Sequence, residues 1–539
     1  MKKTISILFS ILALHTGVAQ TPNWIWAKSG HGPGHDYPLS ISTDANGNSH
    51  VTGYFQPPMC IFGTDTLYAT ASANSNFFVA KYDSAGNCLW ARAASGNANS
   101  YGTGIKEDAN GNCVAVGYYF SSVPVTFGSI TLSAPSGTIV EAFIVKYDPS
   151  GNVVWAQNAG ATSWNGTDNF GVGTDAAGNI YMTGTFDNFI YEKKYDPSGG
   201  FAWQKVFGGT LVNTHSWSIS TDAAGNSYVA GYFGGSVLIF DGLMISNPGA
   251  GLVIFIVKTD SAGNVAWAKS DGTYPSLYKP FISTDGMGNC YVTGYFNGTS
   301  AMFGSTVLTN AGVNDIFVVK YDASGNIAWA KRAGGTNFDN GYGIRADANG
   351  NSYVTGMFRG LAYFDSFFLF NSGDPEIFVA KYDNAGNVLW AKQAGGADVD
   401  AGNGIGIDAL GNSYVTGNFF SPYIYFDSMW LMNSNTSFNP SEVFVAKLGN
   451  TGPTGMAENN PGEQVNIFPN PFTSETTLSF STELKDAAII ISDVLGKEIR
   501  TVRFTGRRFT IYKNELDPGI YFVSVRTGKE FFTGKIVIQ

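Results

Sequence analysis

Three aspartates share one position in a repeated pattern: Asp36, Asp339 and Asp400 each stand five residues before the Ile of an Ile-x-x-Asp segment, where the other copies carry Ser100, Thr167, Thr214 and Leu277. Carboxylates gathered on one sector of a fold can hold a divalent cation, with Ca2+ the candidate, or the hydroxyls of a sugar; capping of a local loop is the competing role. Catalysis of glycoside cleavage would require two of them within ~5–9.5 Å. His31 and His35 in His-Gly-Pro-Gly-His offer two imidazoles, but Gly-Pro-Gly excludes a helix presenting both rings and no third ligand is evident, so no metal site is assigned. The sequence holds no Gly-x-Ser-x-Gly elbow, phosphate loop or Cys-His pair. No catalytic residue is assigned, and enzyme activity is left open because loops distant in sequence can assemble an active site without a linear motif.

The elements that must position these residues are set by one turn. Asp-x-x-Gly followed by Asn or Gly occurs with Asp at 44, 108, 175, 222, 285, 347 and 408, leading into strands like Tyr-Val-Thr-Gly-Tyr-Phe, and with Asp at 83, 148, 196, 260, 322 and 383, between a Phe-Val-Ala-Lys-Tyr strand and a Val-Leu-Trp-Ala-Lys strand. Asp accepts from backbone N–H groups ahead of it, and Gly takes the positive φ of a turn with a bulge. The flanking apolar alternation has a period of two, so the unit is two hairpins, or four strands. An Asx-type turn accounts for the Asp better than an EF-hand loop, because the chain enters an apolar strand at once.

Four-stranded units arranged radially make a β-propeller. The Phe444–Asn450 copy lacks its outgoing strand, and the orphan Trp24-Ile25-Trp26-Ala27-Lys28 supplies one at the other end of the chain. The expectation is an all-β, seven-bladed β-propeller over residues 20–448, closed by an N-terminal strand that removes the open sheet edges. The recurring Trp is expected in packing between blades. The Gly of each Tyr-Val-Thr-Gly strand is expected where another backbone approaches closely. Successive Trp residues of the repeats are 64, 65, 48, 64, 62 and 61 residues apart. The short third spacing marks an insert carried by the other repeats and expected to be dispensable.

The composition, 14% aromatic and 13% charged with a formal net charge of −10, describes a folded β-rich chain without a basic nucleic-acid footprint. Residues 1–19 read as a signal peptide, and no later apolar run is long enough for a membrane-spanning helix. Cys60, Cys88, Cys113 and Cys290 occupy ordinary repeat positions; a Cys88–Cys113 bridge is the pairing the spacing would allow.

Residues 449–464 are rich in Gly, Pro and Asn and read as a linker. Beyond it, residues 465–539 show short alternating strands expected to form a small Ig-like β-sandwich. Four motifs stand in order: Asn466-Ile467-Phe468-Pro469-Asn470-Pro471-Phe472, Asp493-Val494-Leu495-Gly496-Lys497, Leu516-Asp517-Pro518-Gly519-Ile520-Tyr521, and Lys535-Ile536-Val537-Ile538. They resemble the type A C-terminal sorting domain of the type IX secretion system, whose motif residues fall here on Pro469, Asn470, Pro471, Asp493, Gly496, Gly519, Tyr521 and Lys535. The resemblance implies the type IX machinery as partner, passage through the periplasm, and a secreted or outer-surface destination, often with a lipopolysaccharide anchor. The repeats are similar to the bacterial β-propeller repeat family, which implies the fold and no particular activity. The spacing of Asp and Trp differs from that of quinoprotein propellers, and no cofactor is carried over.

The functional expectation is a monomeric exported propeller that binds protein or glycan without catalysis. An extracellular polysaccharide hydrolase or lyase and a structural cell-surface component are the alternatives.

Overall fold

The computed structural model describes residues 22–69, 74–120, 123–162, 170–208, 213–249, 251–272, 276–434, 440–449, 466–492, 498–513, 516–526 and 531–538. The signal peptide, residues 450–464 of the linker, Thr167, Asp493 and Gly496 lie outside these. Two compact units are present, Met1–Thr451 and Gly452–Gln539. The described elements are all strands.

In the first unit the strands pair antiparallel in sets of four, named here sheets one to seven in chain order. Sheet one is Asp36–Thr43, Ser49–Phe55, Asn76–Tyr82 and Cys88–Ala93. Sheet seven takes three strands from its own segment, Asp400–Ile407, Ser413–Phe419 and Glu442–Gly449, and its fourth from the N-terminus, Asn23–His31. That strand pairs from Asn23 opposite Gly449 to Gly30 opposite Val443, with a shift of register between Trp24 and Trp26. Gly449 therefore belongs to a strand and not to the linker.

The turns form as their chemistry dictates. Asp44 Oδ1 accepts from the N–H of Asn46 (2.8 Å) and of Asn48 (2.9 Å), and Oδ2 from the Asn48 side-chain amide (2.7 Å). The same set recurs at Asp83, Asp108 and Asp148. Both carboxylate oxygens are thus engaged within the turn, and at Asp148 the Asn152 amide leads the interactions that hold the carboxyl below its ordinary range.

The turns of Asp83, Asp148, Asp196, Asp260, Asp322 and Asp383 also each receive a Trp from the preceding sheet. Trp90 Nε1 donates to Pro149 O at 3.0 Å, Trp267 Nε1 to Ala323 O at 3.1 Å, and Trp26, on the N-terminal strand of sheet seven, to Ser84 O of sheet one at 3.1 Å. A Cβ on Gly86, whose φ is +86°, would stand 2.7 Å from the Trp26 ring. Glycine is required there twice, for the turn and for the ring beneath it. Tyr414, hydrogen-bonded to Asp408 at 3.1 Å, reaches the Gly47 turn in the same way.

The Gly of the Tyr-Val-Thr-Gly strands answers to a feature the sequence does not announce. The first strand of most sheets carries a bulge, as between Pro38 and Ser40, Gly102 and Gly104, and Gly402 and Gly404. The bulge drives a carbonyl toward the partner strand, so that a Cβ on Gly53 would meet Tyr37 O at 1.9 Å. Close approach is as expected; its cause is a bulged neighbour strand. The Thr before this Gly is buried with its hydroxyl satisfied, Thr52 Oγ1 donating to Phe78 O at 2.7 Å.

The inserts are two-stranded hairpins such as Leu361–Phe364 with Phe367–Phe370 and Tyr423–Phe426 with Met429–Met432. They are not decoration. Phe62, Phe127, Phe240, Phe303, Phe364 and Phe426 are fully buried. Several hairpins also pair with the outer strand of the preceding sheet or the residues just after it, as Phe62 with Gly30 and Tyr363 with Gly334. Sheet three joins Phe186 to Phe189 through Asp187 and Asn188 alone.

The second unit is one antiparallel sheet of five strands, with Leu478, Ile489, Ile491, Ile511, Val523 and Ile536 in its core. In place of short strands, Glu475–Ser492 is one long strand, whose pairing shifts register between Ser479 and Ala487.

Candidate functional site

Asp36, Asp339 and Asp400 are each 0% exposed. They stand where the first strand of one sheet meets the third strand of the sheet before it, and backbone contacts pin them there: Asp36 N–H donates to Ser441 O (2.7 Å), Asp339 N–H to Asn314 O (3.0 Å), Asp400 N–H to Pro375 O (2.8 Å). The structure does not gather the three into one cluster; it gives each an acidic neighbour of its own. Asp36 faces Glu442, Asp339 faces Asp315 and Asp400 faces Glu376, each at or near the start of a third strand.

The polar partners of each pair are local. Asp339 Oδ2 accepts from Gly335 N–H (2.7 Å), and Arg332 holds Asp315 Oδ2 at 2.6 Å. Asp400 Oδ2 accepts from the Ser421 hydroxyl at 2.9 Å, while Ser434 N–H donates to Glu442 Oε1 at 2.6 Å. Asp36 lies against the Cys60 thiol. Burial is the main cause that pushes Asp339, Asp400, Glu376 and Glu442 up to about 7, and it carries Asp36 well above the carboxylate range. A second acid nearby, as Asp315 is to Asp339 and Glu376 to Asp400, adds to the cost of charging a carboxyl away from water.

The histidines are dispersed. His35 Nδ1 accepts from Ser441 N–H at 2.9 Å, His31 lies 3.5 Å from the Ser29 hydroxyl, and His50 Nδ1 is hydrogen-bonded to Glu107 Oε1. Among the described residues no group of three His, Cys, Asp or Glu is placed to hold a metal ion. Cys60, Cys88, Cys113 and Cys290 are free thiols, so the Cys88–Cys113 bridge is not formed.

Two features are not apparent from the sequence alone. A cavity of about 470 Å³ lies among the first strands of the sheets. The inserted hairpins of sheets six and seven point alternate aromatic side chains outward, Phe368 at 65% and Trp430 at 56% exposure among them. Period-two alternation in Leu-Ala-Tyr-Phe and Tyr-Ile-Tyr-Phe was the available signal, since one face buries Phe364 or Phe426 and the other must then be exposed.

In the second unit Asn470 Oδ1 accepts from Val537 N–H at 2.8 Å, and Phe472 N–H donates to Val537 O at 3.0 Å, tying the first motif to the last. Pro469 and Pro471 flank this contact. The Tyr521 hydroxyl donates to Asp517 O at 3.0 Å, Gly519 pairs with Ile538, and Lys535 pairs with Phe522. Among the described residues no helix is long and apolar enough to cross a membrane.

Residues 466–539 match the model of the secretion system C-terminal sorting domain, and residues 389–418 match that of the beta-propeller repeat. An uncharacterized WD repeat-containing protein, L264 of Acanthamoeba polyphaga mimivirus, is 24% identical over 81% of this chain and 34% of its own length, so the chain spans about a third of that relative. Solved structures similar to it include Sqt1 from Chaetomium thermophilum (9% identity, TM-score 0.37, 73% of this chain and 96% of that one). PorZ, a surface component of the type IX secretion system of Porphyromonas gingivalis, is 9% identical with a TM-score of 0.14 over 95% of this chain and 100% of that one. At these scores the likenesses carry no argument about ligands. What the two family matches do establish is that the chain carries β-propeller repeats followed by a type IX C-terminal sorting domain, and that it is exported to the outer cell surface or the medium.

Proposed function

We propose that the first unit closes as a seven-bladed β-propeller, with the N-terminal strand as the outer strand of its last blade, and that it binds a glycan or a protein outside the cell through its inserted hairpins. Closure is supported by contacts that lead from sheet seven to sheet one: Trp26 to Ser84 O, Asn403 Nδ2 to Pro38 O at 2.9 Å, and Ala409 N–H to Ala45 O at 3.0 Å. In a closed ring every four-stranded set has a neighbour on both faces.

The observation that carries the binding role is the aromatic display on sheets six and seven. Tyr363, Phe368, Phe370, Tyr425 and Trp430 are exposed on hairpins whose opposite faces are locked into the core by Phe364 and Phe426. Rigid, exposed aromatic faces cost little conformational entropy on binding; they suit the apolar face of a pyranose ring or the apolar centre of a protein contact. In this reading Asp36, Asp339 and Asp400 fix sheet boundaries beside acidic neighbours, and ligand contact belongs to the hairpins. The purified chain is to be screened on a glycan array and against outer-surface proteins, with a polysaccharide-degradation assay alongside. Phe368→Ser with Trp430→Ser is expected to weaken the captured ligand about tenfold or more, as loss of a hot-spot aromatic does, at an unchanged melting temperature. Unaltered binding by the double variant would remove the hairpins from the site, and turnover of a polysaccharide would favour the hydrolase reading.

A further inference from the structure

The cavity among the first strands has a charge opposite to that of the chain. The protein carries a formal net charge of −10, yet the described cavity wall includes Lys106, Lys279 and Arg345 and no Asp or Glu. Lys279, on the first strand of sheet five, spreads its charge over the rings of Trp217 (5.6 Å) and Tyr342 (5.5 Å). Lys106 and Arg345 differ. Among the described residues neither makes an ion pair; Glu107, next in the chain to Lys106, bonds His50 through Oε1 while its Oε2 has no hydrogen-bond partner, and its charge acts on both Lys106 and Arg345.

Lys106 and Arg345 occupy equivalent places, each one residue after the wall isoleucine of its sheet, Ile105 and Ile344. The same place holds Ser42 in sheet one, Gly173 in sheet three and Ser220 in sheet four, all lining the cavity. One level of the wall therefore presents two cations, two hydroxyls and a glycine against which Thr221 packs. Ser42 Oγ accepts the N–H of Glu107 at 3.3 Å, which leaves its O–H to donate inward, whereas Ser220 Oγ accepts the N–H of Thr284 at 3.1 Å and also meets the Thr284 hydroxyl at 2.9 Å. Two half-buried cations set against one carboxylate, that of Glu107, leave a positive excess on the wall, which is costly. Burial, followed by the charge of Arg345, draws Lys106 down to about 7, and burial lowers Arg345 as well. An anion between them would relieve both.

We propose that this level of the cavity binds a phosphate-class oxyanion between Lys106 and the Arg345 guanidinium, with the Ser42 hydroxyl as a neutral donor. A planar guanidinium fork and a point ammonium together match a tetrahedral oxyanion. The cavity of about 470 Å³ accommodates free phosphate with water, or a phosphate carried on a sugar.

The test is calorimetric titration of the purified full chain with inorganic phosphate and with a sugar monophosphate, at constant ionic strength set by chloride, with melting temperature read in parallel. Saturable binding of either, with a rise in melting temperature beyond that given by chloride, is expected; the tighter of the two identifies the source. Lys106→Met and Arg345→Met are each expected to weaken binding about tenfold, the effect of losing one charge-assisted hydrogen bond. Lys106→Met should itself melt no lower than the parent, since it removes a half-buried charge that makes no ion pair, and Lys106→Arg should restore most of the affinity. No saturable binding by the parent chain, or full binding by a folded Lys106→Met, Arg345→Met double variant, overturns the proposal. Should the double variant fail to fold, failure of Lys106→Arg to bind better than Lys106→Met overturns it equally.

Discussion

Sheets three and six are built on the same four-strand template and differ in what lies between their second and third strands. Sheet three turns through Asp187 and Asn188, both at positive φ, and its outer strand Phe201–Gly208 is largely exposed, with Phe201 at 62%. Sheet six interposes the hairpin Leu361–Phe370. Ala362 and Phe364 of that hairpin are fully buried in a cluster with Phe378 and Tyr382, and Gly334 and Gly335 of sheet five pair with it. The boundaries differ too. Glu141 of sheet two meets Lys193 of sheet three, whereas Glu376 of sheet six meets another acid, Asp400 of sheet seven. The comparison teaches that four strands suffice for the template, while the hairpin adds a second layer that clasps adjacent sheets and carries aromatic side chains outward.

The largest effect is expected where the clasp is the chain terminus itself. Deleting Trp24–Lys28 removes two buried Trp side chains and opens the edge of the Glu442–Gly449 strand. Truncating a buried Trp costs about 3–5 kcal/mol, so urea denaturation should show a loss of at least that size, far beyond what five terminal residues ordinarily contribute. A deletion variant as stable as the parent would show that sheet seven does not need its fourth strand.

Next in size is the hairpin. Phe364→Ala should cost about 3–5 kcal/mol, the usual range for a buried Phe. Replacing residues 359–375 by the Asp-Asn turn of sheet three should cost a similar amount, since Ala362, Phe364 and Leu369 leave the core together. Retained stability in the replacement variant would return the hairpin to the status of a dispensable insert.

How much of this was legible follows from which interactions are local. The Asp-x-x-Gly-Asn turns are satisfied within five residues, so their residue types spell them out. The N-terminal strand was legible because a split repeat leaves a countable remainder at each end. The bulge opposite Gly53 was not, because it is a property of pairing between two strands, and the glycine alone records only that something comes near. Asp36, Asp339 and Asp400 were visible as a shared position, but their partners Glu442, Asp315 and Glu376 belong to the neighbouring repeat. Only packing of one sheet on the next brings the two rows together. Lys106 and Arg345 were invisible for the same reason, lying 239 positions apart in the sequence and meeting only around a cavity.

The smallest effect separates the two kinds of boundary by pH. Burial foremost raises Glu376 and Asp400 to about 7 from ordinary values of 4.5 and 3.8. A carboxyl raised on folding binds its proton more tightly in the native state, so its contribution to stability is whole below pH ~4 and is lost as pH climbs through about 7. Each tenfold gain in proton affinity corresponds to about 1.4 kcal/mol. Glu376 is only half-buried and the two groups share one environment, so about 1–2 kcal/mol is the expected fall between pH 5 and pH 8 from this pair. Asp400→Asn keeps the shape and removes the titration, and it should flatten that part of the profile of melting temperature against pH. At the sheet two and three boundary, burial raises Glu141 and lowers Lys193. The Gly160 N–H and the Lys193 charge oppose the burial that raises Glu141, whereas Glu376 adds to that of Asp400, so Glu141→Gln should change the slope less than Asp400→Asn does. Equal slopes in the two variants would mean that the acid pair is already relaxed by solvent, and the contrast between the two boundaries would then be one of residue type without energetic consequence.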